Sequence, residues 1–93
     1  MNDLATLPLH SIASRIIMDM ESIAKSKGKY WRHAFPYAAP YADAMMSLTT
    51  LDDKYGWDSG RDIVARFISN AASWKGETAK AIKAELRKRL GLK

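Results

Sequence analysis

The sequence contains no cysteine. Disulfides, thiolate nucleophiles and cysteine-ligated zinc are therefore excluded. Histidine is almost as scarce. His10 and His33 stand far apart in the chain, so no closely spaced set of metal ligands exists. The five glycines are scattered, and none falls in the pattern of a loop that cradles phosphate. No apolar run approaches the ~20 residues of a membrane-spanning helix. The opening "MNDLATLPLH" carries an acid where a signal peptide needs basic residues. These absences predict a soluble, cytoplasmic protein made without processing, binding neither metal nor cofactor.

A catalytic motif is missing as well. His10 precedes Ser11, but neighbours on a helix point apart and cannot form a nucleophile–base pair. The acidic stretch "DDKYGWDSGRD" resembles a calcium loop only in composition. Counted from Asp53 or from Asp58, the third position is Tyr55 or Gly60, and neither side chain offers an oxygen ligand of the kind required. We read it instead as helix ends rich in capping carboxylates. The sequence thus predicts a non-enzymatic protein.

What is present is enough apolar material for one small domain. The chain has 93 residues, 47% of them hydrophobic. A domain of this size buries only roughly 60–65% of its unfolded surface, so a partner or an oligomer contact would add useful stability. Four segments show helical periodicity, and none shows sustained alternation. The first spans about Leu9 to Lys25, with Leu9, Ile12, Ala13, Ile16, Met20, Ile23 and Ala24 at helical spacing and Gly28 placed to end it. The second starts after Pro40 and runs from Tyr41 towards Thr50 or Tyr55. The third spans about Gly60 to Ala72, with Asp58 or Ser59 available as a cap. The fourth spans Glu77 to Leu90, and Glu85 and Arg89 are spaced as an ion pair along it. The prediction is an all-α fold, a compact bundle of four short helices over residues 1–93.

Between the first two helices lies "GKYWRHAFPY", read as a connection because Pro36 and Pro40 interrupt any long helix. Trp31 and Phe35 are expected in the core. Trp57 and Trp74 each follow or border a helix end and are expected to pack beneath a connection, with the indole N–H bonded to backbone. The other possibility for such a tryptophan is an exposed anchor for a partner.

The net charge is +5, and its sign alternates along the chain. Residues 1–21 sum to −2, residues 22–42 to +4, residues 43–62 to −3 and residues 63–93 to +6. Solvated helix faces account for such a pattern, and so does a basic binding surface. The cations cluster in two places. Lys25, Lys27, Lys29 and Arg32, with Tyr30, form one group. Lys75, Lys80, Lys83, Arg87 and Lys88 form the other. These ten residues are the candidate site for nucleic acid or a protein partner, since backbone neutralisation needs clustered cations and base stacking needs aromatics. "NAASWKGETAKAIKAELRKRL" has some helix-turn-helix character in Ala72, Gly76 and Ile82. Lys75, Glu77 and Glu85 fall where that motif packs inward, and burying them unpaired would cost several kcal/mol. Base-specific reading is therefore not expected.

From Tyr37 to Leu90 the chain resembles a family of small temperate-phage and prophage proteins. The resemblance rests on "YADAMMSLTTLDDKYGWDS" followed by "FISNAASWKGETAKAIKAEL". The family carries no assigned activity, so no residue inherits a role. The resemblance implies an accessory protein of a mobile element that binds a host protein or ribonucleoprotein complex. An anti-CRISPR or other anti-defence inhibitor is one such kind. The alternative is a small basic protein that binds DNA or RNA non-specifically.

Overall fold

The computed structural model describes residues 2–92. A 3-10 turn, Asn2–Thr6, leads into α1, Leu9–Ser26. There follow α2, Trp31–Ala34, and α3, Ala39–Met45. A ribbon of β1, Lys54–Tyr55, and β2, Asp58–Ser59, precedes α4, Gly60–Asn70, and α5, Glu77–Leu90. The fold is an all-α bundle, as the periodicity predicts. Among the described residues, no helix is long and apolar enough to cross a membrane.

Helix α1 is the centre of the bundle. It buries Leu9, Ile12, Ala13, Ile16, Met20 and Ala24, one face of a 3.6-residue repeat, against α2, α3 and α5. Full burial of each large aliphatic side chain is worth about 1.5–3 kcal/mol. The helix stops where the sequence says it should. Gly28 takes φ +67°, and the N–H groups of Gly28 and Lys29 close back onto the carbonyls of Lys25 and Ala24. Only glycine adopts that conformation freely.

At its start α1 has no side-chain cap. Its first donors are instead satisfied from a distance. Leu9 N–H donates to the Thr49 carbonyl at 2.9 Å and His10 N–H to the Leu48 carbonyl at 2.7 Å. The same segment serves α4. Gly60 N–H donates to the Asp53 carbonyl and Arg61 N–H to the Leu51 carbonyl, at 2.6 and 3.0 Å. One irregular stretch, residues 48–53, therefore fastens the starts of two helices.

That role corrects the second predicted helix. It ends at Met45 rather than continuing towards Thr50. Beyond it Leu48 is buried, and the carbonyls of Leu48 and Thr49 turn to the start of α1, where they accept from His10 and Leu9. A second correction concerns "GKYWRHAFPY". It contains a helical turn, α2, that Phe35 ends before Pro36, with the Phe35 N–H bonded to the Trp31 carbonyl. A residue preceding proline is pushed out of the helical region, and Phe35 has φ −129° and ψ 62°.

The ribbon is the third difference. Lys54 pairs with Ser59 and Tyr55 with Asp58, leaving Gly56 and Trp57 as a two-residue loop. Gly56 has φ +62° and Trp57 does not share the positive φ, which is the pattern of a type II′ turn. Strands of two residues are too short to show alternation in a sequence. Ser59 then caps α4, its hydroxyl accepting from Asp62 N–H at 3.1 Å.

Helices α4 and α5 complete the core. Ile63, Val64 and Phe67 face Ala79, Ile82 and Leu86. Trp74, fully buried in the turn between them, meets Phe67 edge to face at 5.9 Å. Its indole N–H donates to the carboxylate of Asp19 on α1 at 2.7 Å, rather than to backbone as expected. Trp31 and Phe35 are core residues, as predicted.

Candidate functional site

The ten residues singled out from the sequence do not all line one groove. Four of them line a groove of about 530 Å³ beside α5: Lys75, Lys80, Lys83 and Arg87. Helical spacing explains the grouping. Positions 80, 83 and 87 follow one another on successive turns of one face. Lys88 is turned roughly 100° from Arg87 and lies outside the groove lining.

Lys83 is the half-buried member. Its ammonium donates to the Trp74 carbonyl at 2.6 Å and sits 5.7 Å from the centre of the indole ring. Partial burial pushes its pKa below the ordinary lysine value, and the charges of Arg87 and Lys75 push the same way. The groove therefore holds mutually repelling cations. Among the described residues, none of the four pairs with a carboxylate. Glu77 lines the groove too, without an ion pair to any of them.

The second group is dispersed and partly committed. Lys25, Lys27 and Lys29 are exposed where α1 ends. A cation in the last turn complements the helix dipole, which accounts for Lys25 without a ligand. Arg32 is not a free cation. Its guanidinium forms a two-pronged pair with Asp43 of α3, and its Nε donates to the Tyr30 hydroxyl at 3.0 Å. It also lies 4.6 Å from the centre of the Trp31 ring. The hydrogen bond to Asp43 raises its pKa further. Tyr30 stays half exposed but stands edge to face with His33 at 5.2 Å. The stretch "YWRH" is thus a braced corner between α1 and α3. Its cation is spent on Asp43, and none of residues 25–32 lines the α5 groove.

Trp57 reverses its expected place. Its side chain is 102% exposed, at the tip of the ribbon, beside a half-exposed Tyr55. Asp52, Asp58 and Asp62 are exposed around the same end of the molecule. The signal that could have found it is "YGWD", a glycine-first two-residue loop between β-forming and capping residues.

A second groove, about 520 Å³, lies between the start of α1 and residues 49–52. Its two arginines are occupied by structure. Arg61 donates to the Leu90 carbonyl at 3.2 Å. Arg89 pairs with Glu85 at 2.8 Å, as spacing predicted, and donates to the Leu4 carbonyl at 2.7 Å.

The geometry offers two unspent features, the cationic groove and the projecting tryptophan. No family model, curated protein or solved structure matches this chain.

Proposed function

We propose that the protein is a non-catalytic binding module that occupies a surface of a host protein or ribonucleoprotein complex. In this reading it is an accessory protein of a temperate phage or prophage, working in the cytoplasm of a bacterial host. It acts sterically, as an anti-CRISPR or other anti-defence inhibitor does, by covering a face that a nucleic acid or subunit needs. The single observation that carries the reading is Trp57. A fully exposed tryptophan gains nothing for the fold, yet the ribbon holds it out on a two-residue turn. Tryptophan and tyrosine are the residues that most often anchor protein interfaces. Exposed charges of both signs, Asp52, Asp58 and Asp62 with Lys54 and Arg61, lie near it in the chain and suit a mixed polar rim around the anchor.

The test is Trp57→Ala. The side chain is in water, so stability should stay within about 0.5 kcal/mol of the parent. Loss of an anchor costs about 2–4 kcal/mol of binding, a complex weaker by roughly 30- to 700-fold. Plating of a defence-sensitive phage on hosts expressing the protein reads the effect. Protection of the phage by the parent and not by Trp57→Ala is the expected result. Equal protection by both would overturn the role of Trp57, and protection by neither would overturn the anti-defence reading.

A further inference from the structure

We infer that the groove along α5 grips the phosphates of a double-stranded nucleic-acid backbone without reading bases. This goes beyond the protein–protein reading and uses other residues.

Charge comes first. Lys75, Lys80, Lys83 and Arg87 share one groove without a paired carboxylate, although α5 carries Glu77 and Glu85. Glu85 is taken by Arg89. Each cation raises the cost of the next, and a bound anion relieves all of them together. The desolvated Lys83 has the most to gain, because a neighbouring anion favours its charged form.

Shape and chemistry then choose among anions. Lys80, Lys83 and Arg87 lie along one edge of α5 over about 10 Å, at 1.5 Å per residue. A row of like charges suits a ligand whose own charge repeats. Three of the four are lysines. An ammonium meets an anion as a point charge without a fixed fork, so the lysines match the spacing of a repeating charge and not the shape of one planar group. The floor of the groove is Trp74, which is fully buried and offers no ring for a base to stack on. Single-strand binders depend on exposed rings beside their cations. The exposed rings of this protein, Tyr30, Tyr37, Tyr55 and Trp57, are outside the groove lining. A duplex, whose bases are already stacked, needs none.

Fluorescence anisotropy with a labelled random-sequence duplex, over a salt series, tests the inference. Contact with three to four phosphates gives a slope of log K against log salt of about −2.7 to −3.6. Binding should then weaken roughly 40- to 150-fold between ~50 and ~200 mM salt. Lys80→Gln and Arg87→Gln, both exposed and outside the core, should each reduce the slope by about 0.9. The pair Lys25→Gln and Lys27→Gln should leave it unchanged. Trp57→Ala should bind the duplex like the parent, so this inference and the partner reading fail separately. Absence of duplex binding at low salt overturns the inference. So does tighter binding to single strands, an equal loss from the Lys25 and Lys27 pair, or equal affinity for polyglutamate, which would mark an acidic protein ligand.

Discussion

At the scale of the residue, two tryptophans in similar local sequence meet opposite fates. Trp57 follows Gly56 and Trp74 precedes Lys75 and Gly76. Trp74 is buried because Phe67, Asp19 and Lys83 converge on it from three helices. Trp57 has only a two-residue turn beneath it. The convergence on Trp74 is tertiary and invisible in its neighbours, whereas the glycine-first loop of "YGWD" is the local sign of a projecting Trp57. Asp53 is a residue whose role was half legible. The sequence marks it as a capping carboxylate, and it does cap, but it caps the N–H groups of Thr49 and Thr50, at 2.7 and 3.0 Å. Those two bonds hold its pKa below the ordinary 3.8. A depressed folded pKa contributes stability that is complete above 3.8 and is lost as pH falls through the folded value. Urea unfolding should therefore weaken with acid across that window. Asp53→Asn should be less stable at neutral pH and show a flatter acid limb. A remaining slope is expected from Asp3, whose hydrogen bond with Arg15 lowers its pKa in the same direction. An acid limb identical in parent and Asp53→Asn would refute the role given to this carboxylate.

At the scale of the element, helix ends divide into those made locally and those made elsewhere. The end of α1 at Gly28, the Ser59 cap and both limits of α5 were readable, because each depends on a residue beside it. The end of α3 was not, because backbone bonds to a distant segment decide it, and the ribbon was not, because its strands are too short to show alternation. Gly60 marks such a place. It is the first residue of α4, and a Cβ there would lie 2.9 Å from the Thr50 carbonyl oxygen and 3.0 Å from that of Leu51. Both obstacles are backbone and cannot swing aside. Gly60→Ala should destabilise by about 1–3 kcal/mol, as overpacking does, and chemical denaturation measures it. A cost below about 0.5 kcal/mol, the range of an ordinary surface change, would show that residues 48–53 yield easily. The basic face of α5 belongs to the readable class too. The helical spacing of Lys80, Lys83 and Arg87 is enough by itself to place them on one side. That Lys75 joins them, and that Arg32 turns away to Asp43, depends on packing.

At the scale of the whole molecule, the chain closes on itself through Arg89. It pairs with Glu85 on its own helix and reaches the Leu4 carbonyl in the amino-terminal turn. The pair was visible as an i,i+4 spacing, but the longer contact was not. A lysine has all its donors on one nitrogen, without the fork by which Nε and Nη2 of Arg89 reach two separate acceptors. Arg89→Lys should lose about 1 kcal/mol, the net worth of one hydrogen bond. It should also speed amide exchange at Leu7, whose N–H donates to that same Leu4 carbonyl. Unchanged exchange at Leu7 would mean that the turn holds without the arginine. The ribbon that projects beside the start of α4 carries one charge of each sign, Lys54 and Asp58, whereas the groove along α5 is lined mainly by cations.

The uncapped start of α1 bears on how the chain is made. All eighteen residues of this helix are made before residues 48–53. Two of its first donors nevertheless wait for the carbonyls of Leu48 and Thr49. Leu9, the first helical residue, is fully buried, so water cannot stand in for that partner in the finished fold. Until the chain has grown past Thr49 those two donors have no protein partner and are left to water, so the first turn of the longest helix is completed by a segment made after it.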